Sequence, residues 1–96
     1  MAGGVRNYYK GRAAEYRVLA KLRREGWKCM RSAQSHSPVD IAAAKDGQIR
    51  LIQVKAGSGR LSPGEAEELK RYAEAFNASA ELWTFRKRKL TVKNIK

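Results

Sequence analysis

The chain has 96 residues, with 21 Lys and Arg set against 9 Asp and Glu, for a net charge of +12. That length fits one domain across 1–96, with a core modest enough for pairing with a second copy to aid stability. The charge points to a polyanionic partner, nucleic acid being the commonest. No apolar run approaches the ~20 residues of a membrane span, no Lys-rich amphipathic helix carries bulky apolar anchors, and the start lacks a signal-peptide core. The lone Cys29 excludes an internal disulfide and a cysteine metal cluster, so the expectation is a soluble protein of the reducing cytoplasm.

Residues 1–7 are small and Gly-rich and are expected to be disordered. A first helix is expected over 8–25, closed by Gly26, with Arg23 and Arg24 suiting the negative end of its dipole. With Glu15 placed at 0° and a step of ~100° per residue, Val18, Leu19 and Leu22 fall within about 60° of it. Glu15 is therefore on the core-facing stripe, either paired with an arginine such as Arg12 or kept for chemistry.

Trp27 to Arg31 reads as a first strand and Ser32 to Pro38 as a polar loop. Val39 to Ala44 and Gln48 to Ala56 form a hairpin about Asp46-Gly47, a strong tight-turn signal. Apolar residues on both faces of these strands mark them as interior. Gly57 to Leu61 is a connector. Ser62-Pro63-Gly64-Glu65 starts a second helix, with Ser62 as N-cap and Glu65 completing a capping box. That helix reaches Phe76 and stops at Asn77. A fourth strand, Ala80 to Phe85, a basic turn, Arg86 to Lys89, and a fifth strand, Leu90 to Ile95, complete the order α-β-β-β-α-β-β. Trp83 and Phe85 alternate along the fourth strand and are expected to fill the core under the second helix; Cys29 is expected to be a small buried residue.

Within the hairpin, Asp40, Gln53 and Lys55 stand where a half-buried strand would carry Val or Ile. Gln53 and Lys55 point the same way, the hairpin can bring Asp40 beside them, and the first helix can lower Glu15 onto the same spot. Two carboxylates, an amide oxygen and the Val54 carbonyl would then offer oxygen ligands to a hard ion, Mg²⁺ or Mn²⁺, with the Lys55 ammonium alongside. Such an ion activates water and steadies a leaving oxygen, so phosphodiester hydrolysis is a coherent chemistry. Lys10, Arg12 and Arg17 lie near this helix and are candidate DNA-backbone contacts. The turn Arg86-Lys87-Arg88-Lys89 either grips phosphates or keeps a hairpin tip soluble. His36, in the polar loop, suits solvent or a phosphate better than a metal.

Glu15, Val39-Asp40 and Gln53-Val54-Lys55 match the PD-(D/E)xK nuclease signature. The residues around them, GRAAEYRVLAKLRREGWKCMRSAQSHSPVDIAA followed by IRLIQVK, make a stretch that resembles the archaeal Holliday junction resolvases over residues 10–56. The resemblance implies a restriction-endonuclease-like α/β fold, a central mixed five-stranded sheet flanked by helices. It implies a homodimeric, divalent-metal-dependent endonuclease that resolves four-way DNA junctions, with Glu15, Asp40, Gln53 and Lys55 at the active-site positions. By the same resemblance Arg31 matches a basic residue beside the active site, and Ser32 or Ser35 a serine-bearing loop that contributes to cutting. The chain departs from the family pattern in Gln53, where the resolvases carry Glu, in Tyr16, where they often carry Arg, and in a shorter C-terminal part. The alternatives are a nuclease of the same fold acting on duplex, flap or single-stranded DNA, and a junction-binding module whose Gln53 has weakened catalysis.

Overall fold

The computed structural model describes residues 2–32 and 36–95, with side chains from residue 11 onward. Among the described residues two helices and five strands follow one another as α1 (Ala2–Arg24), β1 (Lys28–Arg31), β2 (Ile41–Lys45), β3 (Gln48–Ala56), α2 (Pro63–Phe76), β4 (Ser79–Arg86) and β5 (Lys89–Asn94). The strands form one sheet in the order β1-β2-β3-β4-β5. Only β3 and β4 run parallel, joined through α2; the other neighbours are antiparallel. The sheet is mixed, as expected.

Local chemistry accounts for the ends of these elements. The α1 backbone begins at Ala2, so it takes in 2–7, the stretch expected to be disordered. Extending an established helix adds a hydrogen bond per residue fixed, a far smaller demand than nucleating one. At the other end Gly26 (φ 93°) donates to Arg23 O and Trp27 N–H donates to Leu22 O, the paired bonds of a Schellman stop. Asp46 and Gly47 both have positive φ, 51° and 79°, which gives the two-residue hairpin between Lys45 and Gln48 the twist its strands require. The α2 capping box is complete, and Asn77 (φ 54°) ends that helix in the left-handed conformation.

Alternation along β3 divides the core between the two faces of the sheet. Ile52 and Val54 pack with Ala14, Val18, Leu19 and Leu22 of α1 and with Ile41 and Ala43 of β2. Leu51 packs on the other face with Val39, Ala80 and the α2 residues Leu69 and Ala73. Trp83 pairs with Val54 in register and shares its face, so it is buried under α1 and not under α2 as expected; Phe85 packs against the same cluster. Among the described residues no helix is long and apolar enough to cross a membrane.

Candidate active site

The functional candidates gather where β1 ends, β2 begins and β3 approaches its last residues. β2 starts at Ile41 and not at Val39: on the β3 side the ladder begins at Ile41–Ile52, and the Asp40 side chain takes the Val54 N–H beyond it. The Asp40 N–H donates to Ile52 O (2.9 Å), its carbonyl accepts from Ser32 N–H (2.8 Å), and its carboxylate Oδ2 accepts from Val54 N–H (2.7 Å). The Asp40 side chain is thus held against the β3 backbone between Gln53 and Lys55.

Gln53 and Lys55 share the α2 face of β3, and both meet a carboxylate from that helix. Gln53 Nε2 donates to Glu65 Oε2 at 3.0 Å, and Lys55 Nζ donates to the same oxygen at 3.3 Å. The other Glu65 oxygen accepts from Ser62 N–H, while Glu65 N–H donates to Ser62 Oγ. Gly59 lies close against the Lys55 stem: an added Cβ would stand 3.5 Å from Lys55 Cδ and 3.3 Å from Ala56 O. The connector therefore packs on the lysine and helps to aim it.

Glu15 reaches the site from α1, where Arg31 Nε donates to its Oε1 across 2.7 Å. The Arg31 guanidinium also stands over the Tyr16 ring, 5.4 Å from its centroid, so the aromatic residue next to Glu15 backs the ion pair. Of the remaining candidates, Arg12 and Arg17 are exposed on α1, and Ser32 contributes the backbone bond to Asp40. Arg17 lines one depression with Lys87 and Arg88, which brings the basic β4–β5 turn beside the first helix. That turn is tighter than expected: Arg86 pairs with Lys89, leaving only Lys87 and Arg88 as the loop. Ser35 lies outside the described residues, as does the Lys10 side chain. His36 is exposed.

The electrostatics single out Asp40. Burial pushes its carboxyl up to about 6, against the Val54 N–H bond that lowers it; the charges of Glu15 and Glu65 raise it and Lys55 lowers it. Asp40 therefore feels both flanking carboxylates and the ammonium. Glu65 is held down to about 2, chiefly by the Ser62 N–H bond, with Gln53 and Lys55 adding to it.

The donor set suits a hard cation. Gln53 is only 6% exposed, and its Oε1 is a buried acceptor with no hydrogen-bond partner. Leaving such an atom unsatisfied costs about 1–3 kcal/mol, and native interiors rarely tolerate it. A cation held by Gln53 Oε1, the Asp40 carboxylate and the Val54 carbonyl, with Glu15 nearby, would satisfy that oxygen and offset the carboxylate repulsion. Among the described residues no three His, Cys, Asp or Glu side chains converge to hold a metal by themselves.

Glu65 is the site residue that sequence reasoning missed. Its place three residues after Ser62 accounts for it fully as a capping acid, and nothing local shows that α2 lies over the Gln53 face of β3.

A mixed sheet with a helix on each face, an aspartate entering one strand and Gln-Val-Lys on the next define a restriction-endonuclease-like nuclease domain. The chain belongs to the archaeal Holliday junction resolvase (Hjc) family, whose model matches residues 6–96. It is similar to the structure of Archaeoglobus fulgidus Hjc, a Holliday junction resolvase from an archaeal hyperthermophile, with a TM-score of 0.79 and 28% identity over 90% of this chain and 73% of that one. Comparison with curated proteins finds no match.

Proposed function

We propose that this chain resolves four-way DNA junctions by hydrolysing phosphodiester bonds at the site formed by Asp40, Gln53, Lys55 and Glu15, with Mg²⁺ or Mn²⁺ as cofactor. The observation that carries this reading is the half-buried Asp40 carboxylate, fixed on Val54 N–H and within the fields of Glu15, Glu65 and Lys55, in a chain of the resolvase family.

Asp40, Gln53 Oε1 and the Val54 carbonyl would hold the ion, with Glu15 as the further carboxylate. When bound, the ion supplies Lewis-acid charge that polarises the scissile phosphate and lowers the pKa of water. The protein supplies position. Lys55, steadied by Glu65 and by the packing of Gly59, presents an ammonium to charge developing on the phosphate oxygens or to the attacking water. Arg31 holds Glu15 through their 2.7 Å ion pair.

The net charge of +12 supports DNA as the partner, and the joint placement of Arg17, Lys87 and Arg88 supports a phosphate track along α1, with Arg12 exposed on the same helix. Ser32, whose N–H donates to the Asp40 carbonyl, would stand at the edge of the site. A homodimer would let two such sites nick opposing strands. An apolar depression of about 420 Å³ lined by Val39, Ile49, Leu51, Tyr72, Phe76 and Met30, the last 73% exposed, supports a second copy as its occupant. A single domain over 1–96, acting on DNA in the cytoplasm, fits this reading.

The test is one assay of purified protein with Mg²⁺ or Mn²⁺ on four-way junction, duplex, flap and single-stranded DNA. Paired nicks confined to the junction are expected, with Asp40→Asn binding the junction but leaving it uncut. Binding without nicks would sink the enzyme reading in favour of a junction-binding module. Equal cutting of linear duplex would instead point to a nuclease of broader substrate. Met30→Glu should shift the protein from dimer to monomer in size-exclusion light scattering; an unchanged mass would move the dimer face elsewhere.

A further inference from the structure

The Gln53 amide can sit against Glu65 in only one orientation. A carboxylate has no proton to donate, so the NH₂ group must face it, as the 3.0 Å bond from Nε2 to Oε2 records. That choice turns Oε1 to the other side, where it is buried without a partner. Glu65 is itself fixed, because its second oxygen and its own N–H are both tied to Ser62 in the capping box. The start of α2 thus dictates that Gln53 gives its NH₂ group to the helix and keeps its oxygen as the open acceptor. The same Glu65 oxygen also draws in Lys55, so one helix residue orders both polar side chains of β3.

We propose that Glu65 is a positioning residue for the metal: it supplies the site's missing acidic charge from α2 and relays it through the Gln53 amide, whose Oε1 it presents as a ligand. This inference rests on the nuclease reading of the site. A carboxylate hydrogen-bonded to a neutral amide polarises it and makes its oxygen a stronger donor to a cation. The Gln53–Glu65 pair carries one negative charge and one amide. Exchanging the two side chains keeps that inventory, with the carboxylate now on β3 and the amide on α2. A carboxylate placed on β3 can also bind the ion directly, so the loss of affinity in Glu65→Gln with the fold retained is the result that assigns Glu65 to the metal.

The probe is Mn²⁺ binding to the full chain without DNA, measured by calorimetry and by the electron paramagnetic resonance of the free ion near neutral pH. Glu65→Gln keeps the capping-box bonds, since Gln serves at that helix position, but gives up the charge that holds Lys55, so its thermal midpoint should fall modestly and binding is compared well below it. Its Mn²⁺ affinity should fall by roughly tenfold or more, the usual effect of removing a group that orients a ligand. The exchange variant, Gln53→Glu with Glu65→Gln, should recover affinity to within about threefold of the parent, on the same scale. Asp40→Asn is the control for the site itself. If Asp40→Asn loses Mn²⁺ while Glu65→Gln binds as the parent does, the inference is overturned and the nuclease reading stands. An exchange variant no better than Glu65→Gln would also overturn it. If Asp40→Asn binds Mn²⁺ normally, the site reading fails and takes this inference with it.

Discussion

Arg31 on β1 and Glu15 on α1 meet across 2.7 Å with both side chains about four-fifths buried, which joins the edge of the sheet to the helix that covers it. The sequence left Glu15 open to two uses, and the pair shows how one residue can serve both. The ion pair satisfies one oxygen, while the carboxylate charge still reaches Asp40. Partial burial places the pair between a surface bridge, worth under about 1 kcal/mol, and a fully buried one, whose breakage costs about 3–5 kcal/mol. Arg31→Met should therefore lower stability by about 1–2 kcal/mol in urea unfolding. It should also slow junction nicking roughly tenfold, because Glu15 loses the group that aims it. Nicking at the parental rate would mean that Arg31 serves only the fold.

Asp40 gives the site a pH signature that can be read without DNA. Its carboxyl titrates at about 6 in the folded protein against an ordinary 3.8, because burial disfavours the charged form. Between those values the folded state holds a proton that the unfolded state has released, so stability falls as pH rises through that window and then levels off. The full effect is on the order of 2–3 kcal/mol, since each tenfold difference in proton affinity between the two states is worth about 1.4 kcal/mol. In metal-free buffer, Asp40→Asn should flatten this slope and be the more stable protein above about pH 6, while losing nicking altogether. Added Mg²⁺ or Mn²⁺ should restore stability to the parent and not to the variant. Because Glu65 and Glu81 titrate with the opposite sign, the parent is compared with Asp40→Asn: a stability difference between them that does not change through this window would contradict the burial of this carboxylate.

The opposite end of the sheet carries a second buried charge whose work is structural. Arg50 grips Glu81 through two bonds of 2.8 and 2.7 Å, Trp83 Nε1 and Ser79 Oγ also donate to that carboxylate, and the guanidinium lies 4.8 Å from the Trp27 ring centroid. Burial alone would raise the Glu81 pKa, but the Arg50, Trp83 and Ser79 bonds outweigh it and hold the group below its usual value. Glu81→Leu strands the arginine and should cost about 3–5 kcal/mol, enough to unfold much of a domain this size. Adding Arg50→Leu should return most of that loss, since two apolar side chains pack where an ion pair stood. A double variant as unstable as the single would show that the aromatic rings depend on the guanidinium itself.

The elements were legible where the signal is local. Asp46-Gly47, Ser62 to Glu65, Gly26 and Asn77 each act within a few residues, and each turn or cap forms where those residues stand. The misplacements come from pairings that sequence spacing does not carry. Apolar patterning puts Val39 in a strand, but Asp40 gives its side chain to Val54 N–H, and the ladder starts only at Ile41. Trp83 has the right period for the core, yet which helix covers it depends on its register with Val54, a partner 29 positions earlier in the chain. Asp40, Gln53 and Lys55 stood out because each is a polar residue in an apolar strand. Glu65 did not, because an acid at a helix start already has a sufficient local explanation.

The β4–β5 turn joins the two themes of stability and DNA binding in one dipeptide. Lys87 (φ 48°) and Arg88 (φ 65°) both adopt the left-handed region, which costs a side-chain-bearing residue about 1–2 kcal/mol and is normally given to Asn and Gly. Two long cations in strained positions beside Arg17 suggest retention for their charge. Replacing them with Lys87→Asn and Arg88→Gly should raise stability by roughly 1–2 kcal/mol, seen as a higher thermal midpoint. The same change should weaken junction binding and reduce the slope of log affinity against log salt by about 2, close to 0.9 for each phosphate that is no longer neutralised. Stability and affinity moving in opposite directions is the outcome that assigns the turn to DNA. If the variant gains stability and its salt slope is unchanged, the two cations serve only to keep the hairpin tip soluble.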